Sequence, residues 1–506
     1  MEEIHQFGYL IKKFGRDTII YFPAKIIPGL TIIFFTAIFT RVFKPEFYGQ
    51  YIIIITTTTI ITAIFSQWLL QSILRYRAQY IYYNMEFIFN INLFKILIFI
   101  SLLLILLYTV LYPFKKILHQ YEKFYLVSLL IIVADIWFTV VLTIFQADTK
   151  ANIFTLYTIL NAFFKLGLSL IFVFVIKMDI SGLLWGAFLS SFILVTPIIF
   201  TLFVAKKSFE ESTEKDKQKA LFINLFKQFF GYGFPMVGWF IGSELLMVSD
   251  RYFLQIFRGS NEVGIYSTNY SLISSAISFI TVPLLNAAHP LIMKANVDSS
   301  FKLNEIKKLI NAFSRYFLLL VYPITTYIVL LKGEFVRIFL GPGYREGSII
   351  FPIIAPGILL WFFAMFGHKG LELREKTNKM FLYVLVCAIM KLILNVFFIP
   401  PYGYIGAAIT TLICFSLYPV LVYFGTKNDI EWSIPWMTII KLAVVLIPLI
   451  VAVYVIKHFI THYMIVLIVS LFVVVIVYII MLFIFQEIQP GEIIAAKLFL
   501  KRLFKL

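Results

Sequence analysis

Apolar windows of about 20 residues, each long enough to cross roughly 30 Å of hydrocarbon as a helix, follow one another along this sequence almost without pause. No other feature narrows the fold so far. With 61% of its 506 residues hydrophobic and 14% charged, the chain lacks the polar surface that a water-soluble body of this size needs. Segments of about 10 residues alternating polar and apolar, the mark of a membrane β-barrel, do not occur in it. The expected fold is an all-α polytopic membrane protein.

Polar breaks divide the apolar sequence into about fourteen spans, at 18–42, 48–74, 88–112, 124–146, 153–176, 181–204, 234–257, 263–289, 309–331, 348–368, 378–399, 404–425, 436–456 and 463–485. The first has no small-residue cleavage site after it, so it reads as a membrane helix and not a signal peptide. Cys387 and Cys414 both lie inside apolar runs and form neither a disulfide framework nor a metal motif. With the amino terminus in the cytoplasm, about 27 of the 43 Lys and Arg residues fall on cytoplasmic segments, about 11 on external ones and about 5 within spans. That bias accounts for the net charge of +17 without nucleic acid, and an even span number returns the carboxyl terminus to the cytoplasm. The ending KLFLKRLFKL reads as a basic amphipathic helix on the anionic inner leaflet.

The sequence also repeats. TRVFKPEFYGQY, Thr40 to Tyr51, interrupts the apolar pattern between spans one and two, and QIFRGSNEVGIY, Gln255 to Tyr266, does so between spans seven and eight. Each sets a Gly-x-Tyr at the mouth of the next helix (Gly49 to Tyr51, Gly264 to Tyr266). Asn92 matches Asn311, Lys165 in span five matches Lys391 in span eleven, Asn152 and Asn378 precede those lysines by one interval, and Gly186-Ala187 matches Gly406-Ala407. Matches in one order at a nearly constant offset divide the chain into a lobe at 1–205 (spans one to six), a cytoplasmic linker at 206–221 and a second lobe at 222–427 (spans seven to twelve). The remainder, 428–506, adds spans thirteen and fourteen and the basic terminal helix. In transporters built from repeats, substrate sites lie near mid-membrane at the repeat interface.

The Arg41 to Tyr51 turn, the end of span two at Leu74-Arg75-Tyr76-Arg77, the repeat and the 6 + 6 + 2 order together resemble the multidrug/oligosaccharidyl-lipid/polysaccharide (MOP) exporter superfamily. The similarity is to its polysaccharide branch, the O-antigen-type lipid-linked oligosaccharide flippases, and it covers essentially the whole chain. It implies a transporter, not an enzyme, that moves an undecaprenyl-pyrophosphate-linked oligosaccharide from the inner to the outer leaflet of the cell membrane by alternating access. It implies coupling to H+ or Na+, no cofactor, a monomer, and contact with glycan polymerase or export machinery. Lipid II flippases share the span count, and cation-coupled drug or metabolite antiporters share the fold but usually stop at twelve spans. Phosphate-binding glycine loops, ATPase motifs and metal spacings are missing from the sequence, in keeping with transport.

A charge inside a span is costly unless paired or wet, so each one is a candidate site. Lys165 and Lys391 hold equivalent mid-span positions and are expected as cationic walls for a pyrophosphate. Lys95 and Arg315 lie near cytoplasmic span ends, where snorkelling accounts for them equally well. Arg75 and Arg77 end span two where a pyrophosphate would arrive, and an Arg fork grips phosphate through two parallel hydrogen bonds. Glu244, near the centre of span seven, has no charge within five residues. In some relatives a span-seven carboxylate joins polar groups of spans eleven and twelve around sodium. The resemblance gives Glu244, Asn395 and Thr411 these places, but Lys391 departs from the pattern by intruding its own ammonium. A Glu244–Lys391 pair in one conformation is therefore expected, with Asp250-Arg251 as a local charge pair or gate. Trp239 and Trp361 are candidates for stacking on sugars.

Overall fold

The computed structural model describes residues 23–200, 215–297 and 303–488. The starting portion of span one, the stretch Lys206–Glu214 of the linker and the terminal basic helix lie outside the described residues. Among those described, every long element is helical: α1 Pro23–Val42, α2 Pro45–Tyr82, α3 Glu86–Leu111, a 3-10 segment Tyr112–Phe124, α4 Tyr125–Ala147, α5 Ala151–Leu170, α6 Ser181–Ile199, α7 Lys215–Phe257 and α8 Ser260–Val297. There follow α9 Leu303–Leu330, short α10 Lys332–Phe339, a second 3-10 segment Pro342–Ile350, α11 Phe351–Gly367, short α12 Lys369–Leu373, α13 Thr377–Thr426, α14 Trp436–Phe459 and α15 Tyr463–Ile484. Among the described residues, eleven helices are long and apolar enough to cross a membrane, and exposed Phe, Ile, Leu and Val on them supply the apolar outer surface that lipid requires.

The interruptions are shorter than the sequence suggests. Pro45 occupies the first turn of α2, where its missing N–H costs nothing, so only Phe43 and Lys44 separate two helices. Helix α13 runs through Pro400 and Pro401 as one 50-residue element, but Gly403 at φ 54° breaks it into two helices. The Glu262 carboxylate accepts the Tyr404 backbone N–H at 2.8 Å and caps the second of them.

The chain forms two compact units, Met1–Thr268 with Val384–Ala407, and Asn269–Tyr383 with Ala408–Leu506. In the first, α2 packs between α4 and α7. Leu69, Ile73, Phe89, Leu93, Ile132 and Phe229 close that core. In the second, α9 packs on α11 and α14 on α15, with Trp432 fully buried against Phe363 and bonded to Ser314.

Backbone geometry repeats with the sequence. Thr149 and Glu375, 226 positions apart, both adopt φ 55°, unusual for residues with a Cβ. After each, a lysine N–H reaches five residues back, Lys150 to the Phe145 carbonyl and Lys376 to the Leu371 carbonyl, both at 2.9 Å. These are Schellman-type helix ends. Lys165 and Lys391 stand in the same register.

Candidate functional site

The cluster around Lys391 is the most thoroughly enclosed group of charges among the described residues. Its side chain is 0% exposed, and its ammonium donates to the Leu246 carbonyl at 2.7 Å and to the Asp250 carboxylate at 3.0 Å. The buried Tyr266 hydroxyl donates to the same carboxylate. One turn beyond Lys391, the buried Asn395 amide reaches Ser249 Oγ at 3.5 Å. Helices α7, α8 and the first half of α13 thus meet at one charge pair inside an apolar body.

Two expectations change here. Lys391 pairs with Asp250, not with Glu244: the two carboxylates sit six residues apart on α7 and point to different faces. Nor do Asp250 and Arg251 pair, because consecutive helical residues diverge by about 100°. Arg251 instead donates to Thr56 Oγ1 at 3.0 Å, and Tyr252 shares a 2.9 Å hydrogen bond with Thr57. Seven residues earlier on the same face, half-buried Glu244 feels the Arg251 charge. Thr411 is buried in the second unit, on the far half of α13.

Lys165 shares the repeat position of Lys391 but not its surroundings. It is half-buried and interacts electrostatically with Asp135 of α4. Asp135 accepts a 2.6 Å hydrogen bond from Ser191, which also accepts one from Asn161 at 3.2 Å. Lysines at one register thus meet carboxylates on different helices, Lys165 through the field of Asp135 on α4 and Lys391 through a direct pair with Asp250 on α7.

The remaining cations are less alike than their sequence suggests. Arg77, 0% exposed, is held by Asp148, by Asn90 at 2.8 Å and by Glu86 at 3.2 Å. It therefore ties α2, α3 and the end of α4 together, and its fork is not presented for phosphate. Arg75, two residues earlier, is exposed, with its guanidinium 4.2 Å from the Tyr232 ring centre. Arg315 is bound to Glu487, which also accepts from Thr438 and from Lys441 at 2.9 Å. Lys95 is exposed beside Ile98 and Phe99, as snorkelling requires. Trp361 is packed inside, on Phe415 and Tyr418, and the Trp239 side chain lies outside the described residues.

Asp148 and Glu487 are partners that sequence reading missed. Burial pushes the Asp148 carboxyl up, but Arg77 and then Lys150 outweigh it and hold the group below the usual carboxylate range. A depressed carboxyl stabilises the fold fully above its unfolded pKa, about 4, and loses that contribution as pH falls through the folded value. Asp148→Asn is therefore expected to lower the unfolding temperature at pH 7, with the difference from the parent closing as the pH is taken below 4. A difference independent of pH would contradict this role.

The two interrupting turns meet. A Cβ on Gly49 would strike the Ser260 carbonyl, and one on Gly264 would strike the Pro45 carbonyl. The contacts are reciprocal: 45 and 260, like 49 and 264, differ by 215. The Gly-x-Tyr pairs are spaced as they are because two hairpins must touch backbone to backbone, which only glycine allows. Farther along the same seam, the Ser72 hydroxyl donates to the Phe229 carbonyl at 2.9 Å, so α2 and α7 stay in contact over most of their shared length.

Apolar spanning helices, one enclosed Lys391–Asp250 pair and glycine-tight hairpins define a class: polytopic helical membrane proteins. The chain is similar to the lipid II flippase MurJ in its inward closed conformation, with a TM-score of 0.72 and 14% identity over 92% of this chain and 98% of that one. It is also similar to a multidrug resistance MATE family transporter of the MOP superfamily, inward-facing (TM-score 0.60, 12% identity, 80% of this chain and 94% of that one) and outward-facing (0.56, 13%, 82% and 95%). At such identities the likeness is one of fold. Residues 14–296, more than half of the sequence, match the model of the polysaccharide biosynthesis protein family, and the chain belongs to that family. An uncharacterized membrane protein of Methanocaldococcus jannaschii is 24% identical over 277 residues, 54% of this chain; the match spans about half, 53%, of that relative's length.

Proposed function

We propose that the protein is a flippase that carries an undecaprenyl-pyrophosphate-linked oligosaccharide, the repeat unit of an O-antigen, capsule or exopolysaccharide, across the cytoplasmic membrane by alternating access. The observation that carries this reading is the match to a polysaccharide biosynthesis family, which the likeness in fold to a lipid II flippase supports. The lobes are 1–205 and 222–427, as the repeat divides them. Fourteen spans result if α1 and α7 are added to the eleven apolar helices and α13 is taken as two. Both termini are then cytoplasmic, and the paired hairpins face outward. The multidrug transporters leave about a fifth of this chain unmatched, which supports a lipid-linked cargo over a drug. Likeness to the lipid II flippase, covering almost all of that chain, keeps a cell-wall precursor as the second reading.

Lys165 is the mid-span cation that meets the pyrophosphate, assisted by exposed Arg75 where the headgroup arrives, while Lys391 works as a tether. Coupling to H+ or Na+ runs through the carboxylates of α7. Glu244 lies beside Arg251, and Asp250 is committed to Lys391 in this conformation. Depleting the protein from its own cell tests the reading. The lipid-linked oligosaccharide is expected to accumulate on the inner leaflet while the surface polysaccharide disappears. An unchanged surface polysaccharide would overturn it.

A further inference from the structure

The 3-10 segment Tyr112–Phe124 is the element that transport leaves unused. It keeps this geometry for 13 residues, although runs beyond three or four are uncommon because i and i+3 side chains eclipse. With the adjoining ends of α3 and α4 it walls a pocket of about 800 Å³, within the 300–1,000 Å³ typical of small-molecule sites. Tyr108, Tyr112 and Tyr125 contribute rings, and Lys115, Gln120 and Glu122 contribute polar groups. Tyr112 is 53% exposed, and its ring is held by Lys115, whose ammonium lies 2.9 Å from the hydroxyl and 4.3 Å from the ring centre.

Charge separates the ligand classes. Lys115 pairs with Glu122 at 3.3 Å, and Lys123, also on the pocket wall, pairs with Asp179 at 2.6 Å. A phosphate would meet a carboxylate for each ammonium. A membrane-interface aromatic belt explains tyrosines at a helix end, but it requires no carboxylate, amide and ammonium set among the rings. Ring faces beside mixed donors and acceptors suit a neutral polyhydroxylated ligand. The wall also reaches the hairpins: Gln120 accepts from the Gln50 amide and donates to Ser260 Oγ, both at 3.1 Å.

We propose that this pocket is a carbohydrate subsite, which takes an uncharged mono- or disaccharide unit by stacking on Tyr112 and hydrogen bonding to Glu122 and Gln120. The subsite stands on its own chemistry and is measured as binding, so a protein that fails to translocate lipid can still bind sugar here.

The test is saturation-transfer NMR on the full chain in nanodiscs with glucose, galactose, N-acetylglucosamine, N-acetylgalactosamine, lactose and chitobiose as probes. At least one is expected to receive magnetisation from the protein. Tyr112→Ala is expected to weaken its binding about fivefold and Glu122→Gln to weaken it as well, while Tyr112→Phe, which keeps the ring, preserves it. The proposal is overturned if none of the probes binds, if binding is unchanged in Tyr112→Ala, or if inorganic phosphate at equal concentration displaces the sugar.

Discussion

Replacing Lys391 by methionine is expected to cost about 3–5 kcal/mol of stability, the range for removing one partner of a buried ion pair. The pair sits where neither water nor lipid can take over: both side chains are at most 1% exposed. Truncation leaves the Asp250 carboxylate, still bonded to Tyr266, without its counter-charge, and removes the Lys391 donor from the Leu246 carbonyl. Asp250→Asn in the same chain should restore much of the loss, because a neutral amide costs less to enclose than an unpaired charge. Thermal unfolding of the single and double variants in detergent measures this. A double variant no more stable than Lys391→Met would show that the two residues do not act as a pair.

Gly49→Val is expected to part the two hairpins. Its side chain would occupy the place of the Ser260 carbonyl, and backbone on both sides leaves no flexible atom to yield. Ser267, one turn beyond Gly264 on the same face of α8, is buried and provides a reporter. A cysteine placed there should react with a membrane-impermeant maleimide about tenfold faster in the Gly49→Val background, equivalent to ~1.4 kcal/mol less closure. Equal rates would mean that the glycine contact does not hold this end shut.

Much of this architecture is legible in the residues. That the chain is helical and apolar enough to span a membrane follows from apolar length, and Gly49 and Gly264 recur in sequence where the two hairpins touch. What stays hidden is pairing. Two lysines at one repeat position look equivalent in sequence, yet one lies beside Asp135 on α4 and the other beside Asp250 on α7. Helical phase shows that Asp250 and Arg251 diverge, but partners on other helices depend on packing that periodicity does not encode. Arg77 looks like a phosphate fork at a span end. Only the approach of Asp148, 71 residues away, turns it into a clamp. Glu262 as the cap of Tyr404 is likewise a long-range fact, although the Pro-Pro-Tyr-Gly stretch before it marks the place where a cap is needed.

Transport itself is tested by reconstituting the purified chain in proteoliposomes with a fluorescent polyprenyl-pyrophosphate oligosaccharide. The reading is the rate at which its sugar becomes accessible to a reagent confined to the opposite side. Translocation is expected to rise with protein content and to fall about tenfold in Lys165→Gln, the loss of roughly 1.4 kcal/mol of headgroup attraction. Vesicles no faster than protein-free ones, or a Lys165→Gln protein as fast as its parent, would contradict this.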